Sequence, residues 1–199
     1  MVGWLRIAYR CARLVAAVGG SRVTPSTVTL CGLLLSVGVP VAAAFGGVAA
    51  LAGAALVLLS ALADSVDGAL AVITRRASRL GHVLDSVADR LSEAAWGFAV
   101  WLLGAPAWLA ILITALGWLH EYIRARATLA GMRGIGAVTV AERPTRVIMM
   151  ASTLTVTGVA GVAWPALVPA SVTLSATIWA LLAEVGVIQL WYAVRRALR

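Results

Sequence analysis

The sequence predicts an all-α, polytopic membrane protein, six spanning helices preceded by an amphipathic helix at the bilayer surface. Three observations lead there. Hydrophobic residues make up 62% of the 199-residue chain, and only 12% is charged, about half the share of a water-soluble domain. Six apolar stretches follow one another at 27–45, 48–72, 83–103, 107–127, 146–163 and 167–194, close to the roughly 20 residues needed to cross a hydrocarbon core. The arginines fall at the two ends of the chain and in or beside alternate breaks between those stretches, as the positive-inside rule requires.

The elements follow in order. Residues 3–18 carry Arg6, Arg10 and Arg13 at helical spacing on one face, with Trp4, Leu5, Ala8, Leu14 and Val15 elsewhere, so this segment suits an interface. Gly19, Gly20 and Pro25 end it, which gives an interfacial helix within 1–22 and a bundle over 27–194, all one domain spanning 1–199. The breaks between spans lie at Gly46-Gly47, Arg75 to Gly81, Gly104-Ala105-Pro106, Gly131 to Pro144 and Trp164-Pro165, where Gly and Pro punctuate the chain.

Charge fixes the orientation. All sixteen basic residues are arginine, and the net charge is +8. The N-terminal stretch holds Arg6, Arg10, Arg13 and Arg22. The break after the second span holds Arg75, Arg76 and Arg79, with Arg90 just inside the third. Arg124, Arg126, Arg133, Arg143 and Arg146 surround the break after the fourth span, and Arg195, Arg196 and Arg199 end the chain. The other three breaks have none, so six spans with both termini in the cytoplasm place every arginine on one side. Trp101, Trp108 and Trp164 then mark the far interface. This distribution is accounted for by anionic lipid, and no nucleic-acid partner is expected. The N-terminus lacks the uninterrupted apolar core of a cleaved signal peptide. Cys11 and Cys31 form neither a disulfide nor a metal framework.

The chemistry must sit in the helices, because the loops are short. Four of the eight acidic residues lie close together: Asp64 and Asp67, three apart on the second span, and Asp85 and Asp89, four apart on the third. Each pair shares a helix face, and adjacent antiparallel spans bring the two faces together. Carboxylates at membrane depth cost several kcal/mol each unless a positive partner intervenes. Hard divalent cations, Mg²⁺ or Mn²⁺, take oxygen ligands of this kind. Salt bridges to Arg75, Arg76, Arg79 and Arg90 are the plainer alternative, and a cation transporter with an acidic site is another. Glu93 continues the Asp85–Asp89 face more deeply and reads as a partner for polar groups of a neighbouring helix.

With these residues in place, the stretch resembles the CDP-alcohol phosphotransferase pattern D-x2-D-G-x2-A-R-x8-G-x3-D-x3-D. Asp64, Asp67, Gly68, Ala71, Gly81, Asp85 and Asp89 match it in identity and spacing, and Thr24-Pro25-Ser26-Thr27-Val28-Thr29 is similar to the turn that family members place before their first span. The remaining fixed position, arginine in the family, is Val72 here, with Arg75 or Arg76 a turn onward as substitutes. The resemblance implies transfer of a phosphatidyl-type group from a CDP-linked lipid donor to an alcohol, with release of CMP, by a homodimer active at the cytoplasmic face of a bacterial plasma membrane. It implies that Asp64, Asp67 and Asp85 hold the metal, that Asp89 is the general base and a further metal ligand, and that Asp64, Asp67, Gly68, Ala71, Ser78 and Gly81 bind the CDP donor, with His82 at the rim. A catalytically silent member is the alternative that Val72 raises.

A second cluster, Tyr122-Ile123-Arg124-Ala125-Arg126-Ala127, Gly131 and Glu142-Arg143-Pro144-Thr145-Arg146, is similar to stretches of the phosphatidylinositol-phosphate and archaetidylinositol-phosphate synthases. Those enzymes use a phosphorylated acceptor, and arginine forks bind phosphate bidentately. Arg124, Arg126, Arg143 and Arg146 are therefore the expected acceptor residues. Thr128, a longer loop from Gly131 to Glu142, and Leu190 after Gln189 depart from that pattern, which leaves inositol phosphate, glycerol phosphate and phosphatidylglycerol open as acceptors.

Overall fold

The computed structural model describes residues 2–19, 23–132 and 138–199. Within them lie seven α-helices: α1 (Val2–Gly19), α2 (Pro25–Phe45), α3 (Gly47–Ile73), α4 (Arg79–Leu102), α5 (Ala107–Leu129), α6 (Arg143–Ala163) and α7 (Val168–Ala197), with a 3-10 turn at Pro165–Leu167 before α7. Arg22 and Arg133 lie outside the described residues.

The helix starts are set by local chemistry. Thr24 caps α2, its side chain accepting from the Thr27 N–H at 3.2 Å, and Pro25 occupies the first turn, where its missing N–H costs nothing. Ser78 caps α4 by accepting from the Gly81 N–H at 2.9 Å. Glu142 precedes α6, and Pro144 lies in its first turn. Polar first turns explain where two helix starts depart from the apolar segments read in the sequence. The starts of α4 and α6 move back from residues 83 and 146 to 79 and 143. The polar first turns are helical but not apolar, so Arg143 belongs to a helix rather than to the break before it. At the opposite end of the bundle Gly46 and Gly47 turn the chain at φ 60 and 47°, a region open to glycine at little cost.

Packing puts α3 at the centre, against α1, α2 and α6. Helix α4 packs on α2 and α5, and α7 on α5 and α6. The main core gathers Val39, Val57, Trp96, Val100, Leu109, Ile113, Met150, Leu154, Val172 and Trp179. Small residues allow close approach: a Cβ on Gly158 of α6 would lie 3.0 Å from the Gly47 carbonyl oxygen and 2.8 Å from the Leu51 side chain. A second cluster joins Ala8 and Ala12 of α1 to Val66 and Leu70 of α3.

The outside is as apolar as the inside. Leu34 is 70% exposed and Phe45 80%, and Val48, Trp108, Ile111, Val162 and Leu181 are also largely exposed. A continuous apolar exterior matches an apolar solvent. Residues 25–45, 47–73, 143–163 and 165–197 are long and apolar enough on their own to cross a membrane. Helices α4 and α5 are of comparable length, 24 and 23 residues. They carry the charges of Asp85, Asp89, Arg90 and Glu93, and of Glu121, Arg124 and Arg126.

Candidate metal centre and its neighbours

The site forms where the starts of α2, α4 and α6 meet the end of α3. Asp64 and Asp67 project from the last turns of α3, and Asp85 from the second turn of α4. One carboxylate oxygen from each of the three lies within 4.8 Å of the others. The Thr29 hydroxyl of α2 donates to Asp67 Oδ2 at 2.5 Å. Asp85 Oδ1 is buried and has no hydrogen-bond partner among the described residues. A buried, unpartnered carboxylate oxygen beside two more carboxylates is the donor set of a hard divalent cation, and the residues present fit one.

The structure does not bring Asp89 into that group. Its Oδ1 pairs with Arg143 Nη1 from α6, and Arg143 Nη2 lies 3.0 Å from Asp64 Oδ1. The cation that bridges Asp64 and Asp89 is thus Arg143, which the sequence reading did not name as their partner, and Arg90 Nη2 stands 3.9 Å from Asp89 Oδ2. Arg143 also places the second arginine cluster directly against the first aspartate cluster, a meeting of α6 with α3 and α4 that sequence spacing does not reveal.

Beside the carboxylates opens a cavity of about 440 Å³, lined by Thr24, Pro25, Ser26, Thr29, Asp67, Gly68, Ala71, Arg76, Ala77, Ser78, Gly81, His82 and Asp85. It gathers the predicted donor residues Asp67, Gly68, Ala71, Ser78 and Gly81, with exposed His82 at its rim. Asp64 lies just behind, in a narrow cleft shared with Asp67, Asp89 and Arg143. Gly68 has no atom within 4 Å of where a Cβ would stand, so its side of the cavity is open. The turn at Thr24–Thr29 contributes four residues to the wall, and only its resemblance to the family's turn signalled it. Val72 is 73% exposed and does not line the cavity. Arg76 does: after Ile73 the chain turns through Arg75 at φ 55°, which brings Arg76 to the wall.

Behind the site runs a buried ionic network. Arg146 Nη1 pairs with Glu93, Nη2 donates to Glu121 Oε1 at 2.5 Å, and Nε donates to the Ala141 carbonyl at 3.0 Å. Arg90 Nη2 reaches the same Glu93 at 3.1 Å. Glu93 is therefore a partner for a neighbouring helix, as expected. The expectation for Arg146 is corrected. At 3% exposed, with its guanidinium held by two carboxylates and a carbonyl, it ties α4, α5 and α6 together and is not available to an acceptor. Glu121 was missed in the sequence, where one acidic residue among aromatics gives no partner. Arg124 Nη2 donates to Glu142 Oε1 at 2.6 Å, whereas Arg126 is exposed. Burial alone would raise the Glu142 carboxyl, but the Thr139 N–H and the Arg124 guanidinium outweigh it and hold it below the ordinary carboxylate range.

Three comparisons bear on this arrangement. Residues 22–198 match the family model for CDP-alcohol phosphatidyltransferase. The phosphatidylinositol phosphate synthase of Mycobacterium tuberculosis is 35% identical over 172 residues, 80% of this chain and 74% of that one. The archaetidylinositol phosphate synthase of Pyrococcus horikoshii is 40% identical over 96 residues. That match takes in 48% of this chain and spans half the length of the relative. Among solved structures, the M. tuberculosis synthase with CDP-DAG bound superposes with a TM-score of 0.70 and 28% identity, over 95% of this chain and 94% of that one. The same synthase is also known in complex with manganese and citrate, with a TM-score of 0.70 and 27% identity, over 94% of this chain and 88% of that one.

Proposed function

Because the chain belongs to the CDP-alcohol phosphatidyltransferase family, an enzyme family of membrane-embedded transferases, we propose that it moves the phosphatidyl group of CDP-diacylglycerol onto the hydroxyl of a phosphorylated alcohol, inositol phosphate, releasing CMP. The observation that carries this reading is Arg143. Its guanidinium joins the aspartate cluster to the arginine-bearing start of α6, so donor chemistry and phosphate recognition share one corner of the molecule. Family membership sets aside the cation-transporter alternative.

The roles follow from position. Asp64, Asp67 and Asp85 hold the divalent cation, Mg²⁺ or Mn²⁺, which when bound neutralises pyrophosphate and stabilises the leaving CMP. The cytidine end lies in the cavity bounded by Gly68, Ala71, Ser78 and Gly81, whose small side chains and capped helix start leave room for a ring. Arg143 and Arg124 face the acceptor phosphate, with Arg126 on the exposed approach. Asp89 takes the hydroxyl proton while the acceptor oxygen forms its bond to the lipid-bearing phosphorus and the bridge to CMP breaks. An acceptor phosphate competes for the guanidinium that otherwise occupies Asp89. The base is thereby freed when an acceptor arrives, which favours transfer over hydrolysis.

The protein is an integral membrane protein with several membrane-spanning helices. Our fuller reading is six, α2 to α7, with α1 at the interface and the site on the cytoplasmic side of a bacterial plasma membrane. Assembly as a homodimer is part of this reading and is carried over from the family resemblance; an apolar groove of about 460 Å³ between α4 and α5, lined by Gly97, Phe98, Trp101, Ile111, Thr114 and Trp118 among others, is the face on which we would look for it. Cross-linking at Trp101 within native membranes tests that pairing.

The experiment for the activity is incubation of purified protein with CDP-diacylglycerol, Mn²⁺ or Mg²⁺ and a panel of acceptors: inositol phosphate, glycerol phosphate, phosphatidylglycerol and free inositol. CMP and lipid products are read by mass spectrometry. CMP release that depends on inositol phosphate supports the proposal. A lipid product only with another acceptor reassigns the substrate, and no CMP with any acceptor makes this a silent member of its family.

A further inference from the structure

One part of the molecule is more firmly tied than a connecting loop needs to be. The turn Thr139–Glu142, which delivers the chain into α6, is gripped from two helices, α5 and α7. His120 of α5 is 1% exposed, and its Nε2 lies 2.8 Å from Thr139 Oγ1. The Thr139 hydroxyl has one proton, and Glu142 Oε1, which is ionised, stands 3.1 Å away. The hydroxyl therefore donates to Glu142 and accepts from His120, which places a proton on Nε2, while Nδ1 faces Glu121 Oε1 at 3.7 Å. The Thr139 N–H donates to the same Glu142 oxygen at 2.9 Å. From α7, Gln189 Oε1 accepts the Val140 N–H at 3.0 Å. Gly186, one turn earlier on α7, leaves the space that the turn fills, since a Cβ there would stand 3.0 Å from Ala141 N and 3.2 Å from Ala141 Cα.

The direction of these contacts matters. Glu142 Oε1 is also the oxygen that takes Arg124, and Glu142 directly precedes Arg143. A buried imidazole and an amide are thus aimed, through one turn, at the two guanidinium groups assigned to the acceptor. Burying a polar ring is costly unless its hydrogen bonds are made, and here the bond from Nε2 reaches a neighbour of the site.

We propose that His120 and Gln189 are positioning residues that clasp the Thr139–Glu142 turn and thereby set Arg124 and Arg143 for the acceptor; the inference rests on the acceptor reading above. Neither touches the aspartate cluster or the donor cavity, so their effect should fall mainly on the acceptor.

The test is steady-state kinetics on wild type, His120→Leu, His120→Gln and Gln189→Leu, with hydrogen exchange at the Thr139 and Val140 amides. Loss of one such hydrogen bond should raise the acceptor KM by about tenfold while the donor KM stays within about twofold. Exchange should quicken at Thr139 in His120→Leu and at Val140 in Gln189→Leu. His120→Gln, whose amide can donate from near the Nε2 position, should recover most of the wild-type KM. The proposal is overturned if donor and acceptor KM rise together. It is equally overturned if the turn loosens without any change in acceptor KM, or if the Gln variant is as impaired as Leu. Should His120→Leu fail to fold, Gln189→Leu on the exposed side of α7 carries the same comparison. Wild-type turnover of inositol phosphate is read separately: if the enzyme uses a different alcohol, the acceptor reading falls. The clasp is then upheld or overturned by the same KM split on the alcohol that it does use.

Discussion

Asp85 and Asp89 differ by one helical turn and by everything that surrounds them. Asp85 keeps a buried oxygen without a partner beside Asp64 and Asp67, whereas Asp89 is held by Arg143. Substitution should separate them. Asp85→Asn is expected to abolish metal-dependent donor binding together with transfer, and activity of the wild type should vanish in excess EDTA and return with Mn²⁺. Asp89→Asn is expected to leave donor binding and metal stoichiometry nearly intact while transfer falls by about 10²–10⁴, the usual contribution of a positioned base. Equal loss of donor binding in both would make Asp89 one more metal ligand. A third residue, Arg76, is expected to do for the donor what Val72 cannot. Arg76→Ala should weaken CDP-diacylglycerol binding by roughly ten- to a hundredfold, as a charge-assisted hydrogen bond would, and Arg79→Ala should not. A titration in which Arg76→Ala binds donor normally would show that the cavity does without the guanidinium. The aspartates were legible in the sequence because carboxylates are rare in apolar spans and their spacing fixes a face. The arginines were not: Arg143 and Arg146 are three apart and chemically alike, yet one meets the aspartate cluster and the other is sealed between Glu93 and Glu121. Only the packing of α6 against α3 and α4 decides which is which.

Helix α1 shows how an element beside the membrane bears on the site. Trp4 Nε1 donates to Ser65 Oγ at 3.0 Å, between the two aspartates of α3, and Ala8 and Ala12 pack with Val66 and Leu70. An amphipathic segment was evident from its arginine face, but the sequence could not say that its small-residue face rides on the metal-bearing turn. Adding bulk where Ala12 is fully enclosed should cost about 1–3 kcal/mol by overpacking. Ala12→Leu is therefore expected to lower transfer and thermal stability in detergent while the chain still inserts. Unchanged activity on an inserted chain would mean that α1 is only an anchor. The other helices were visible as apolar runs, and the misjudged starts of α4 and α6 are the polar turns that reach the site. Hydropathy finds the part of a helix that meets lipid, and here the chemistry lies just outside that part.

At the scale of the whole molecule, the contacts between helix ends fix which ends lie together. Thr29 at the start of α2 reaches Asp67 near the end of α3, Arg143 at the start of α6 reaches Asp64 and Asp89, and Gln189 in the later part of α7 reaches the turn before α6. One end of the bundle thus carries the site. Arg75, Arg76, Arg79, Arg124, Arg126, Arg195 and Arg196 cluster there too, in the connections and last turns at that end. The turns at Gly46-Gly47, at Gly104 and at Trp164-Pro165 lie at the other end without an arginine among them, and Trp101, Trp108 and Trp164 are exposed near it, as an interfacial aromatic belt would be. Helices α4 and α5 lie between neighbours that cross unaided, and Asp89, Glu93 and Glu121 within them face the site and the buried network, where Arg143 and Arg146 meet the acids. A span can carry such charges when they turn inward and are paired. Single cysteines at Gly47 and Gly104, in a background with Cys11 and Cys31 replaced, should accordingly react with an impermeant thiol reagent from outside intact cells, and a cysteine at Arg196 should react only after the cells are opened. Labelling of Gly104 from inside alone would mean that α4 and α5 do not cross, leaving four spans and placing the carboxylates on a surface rather than within the membrane.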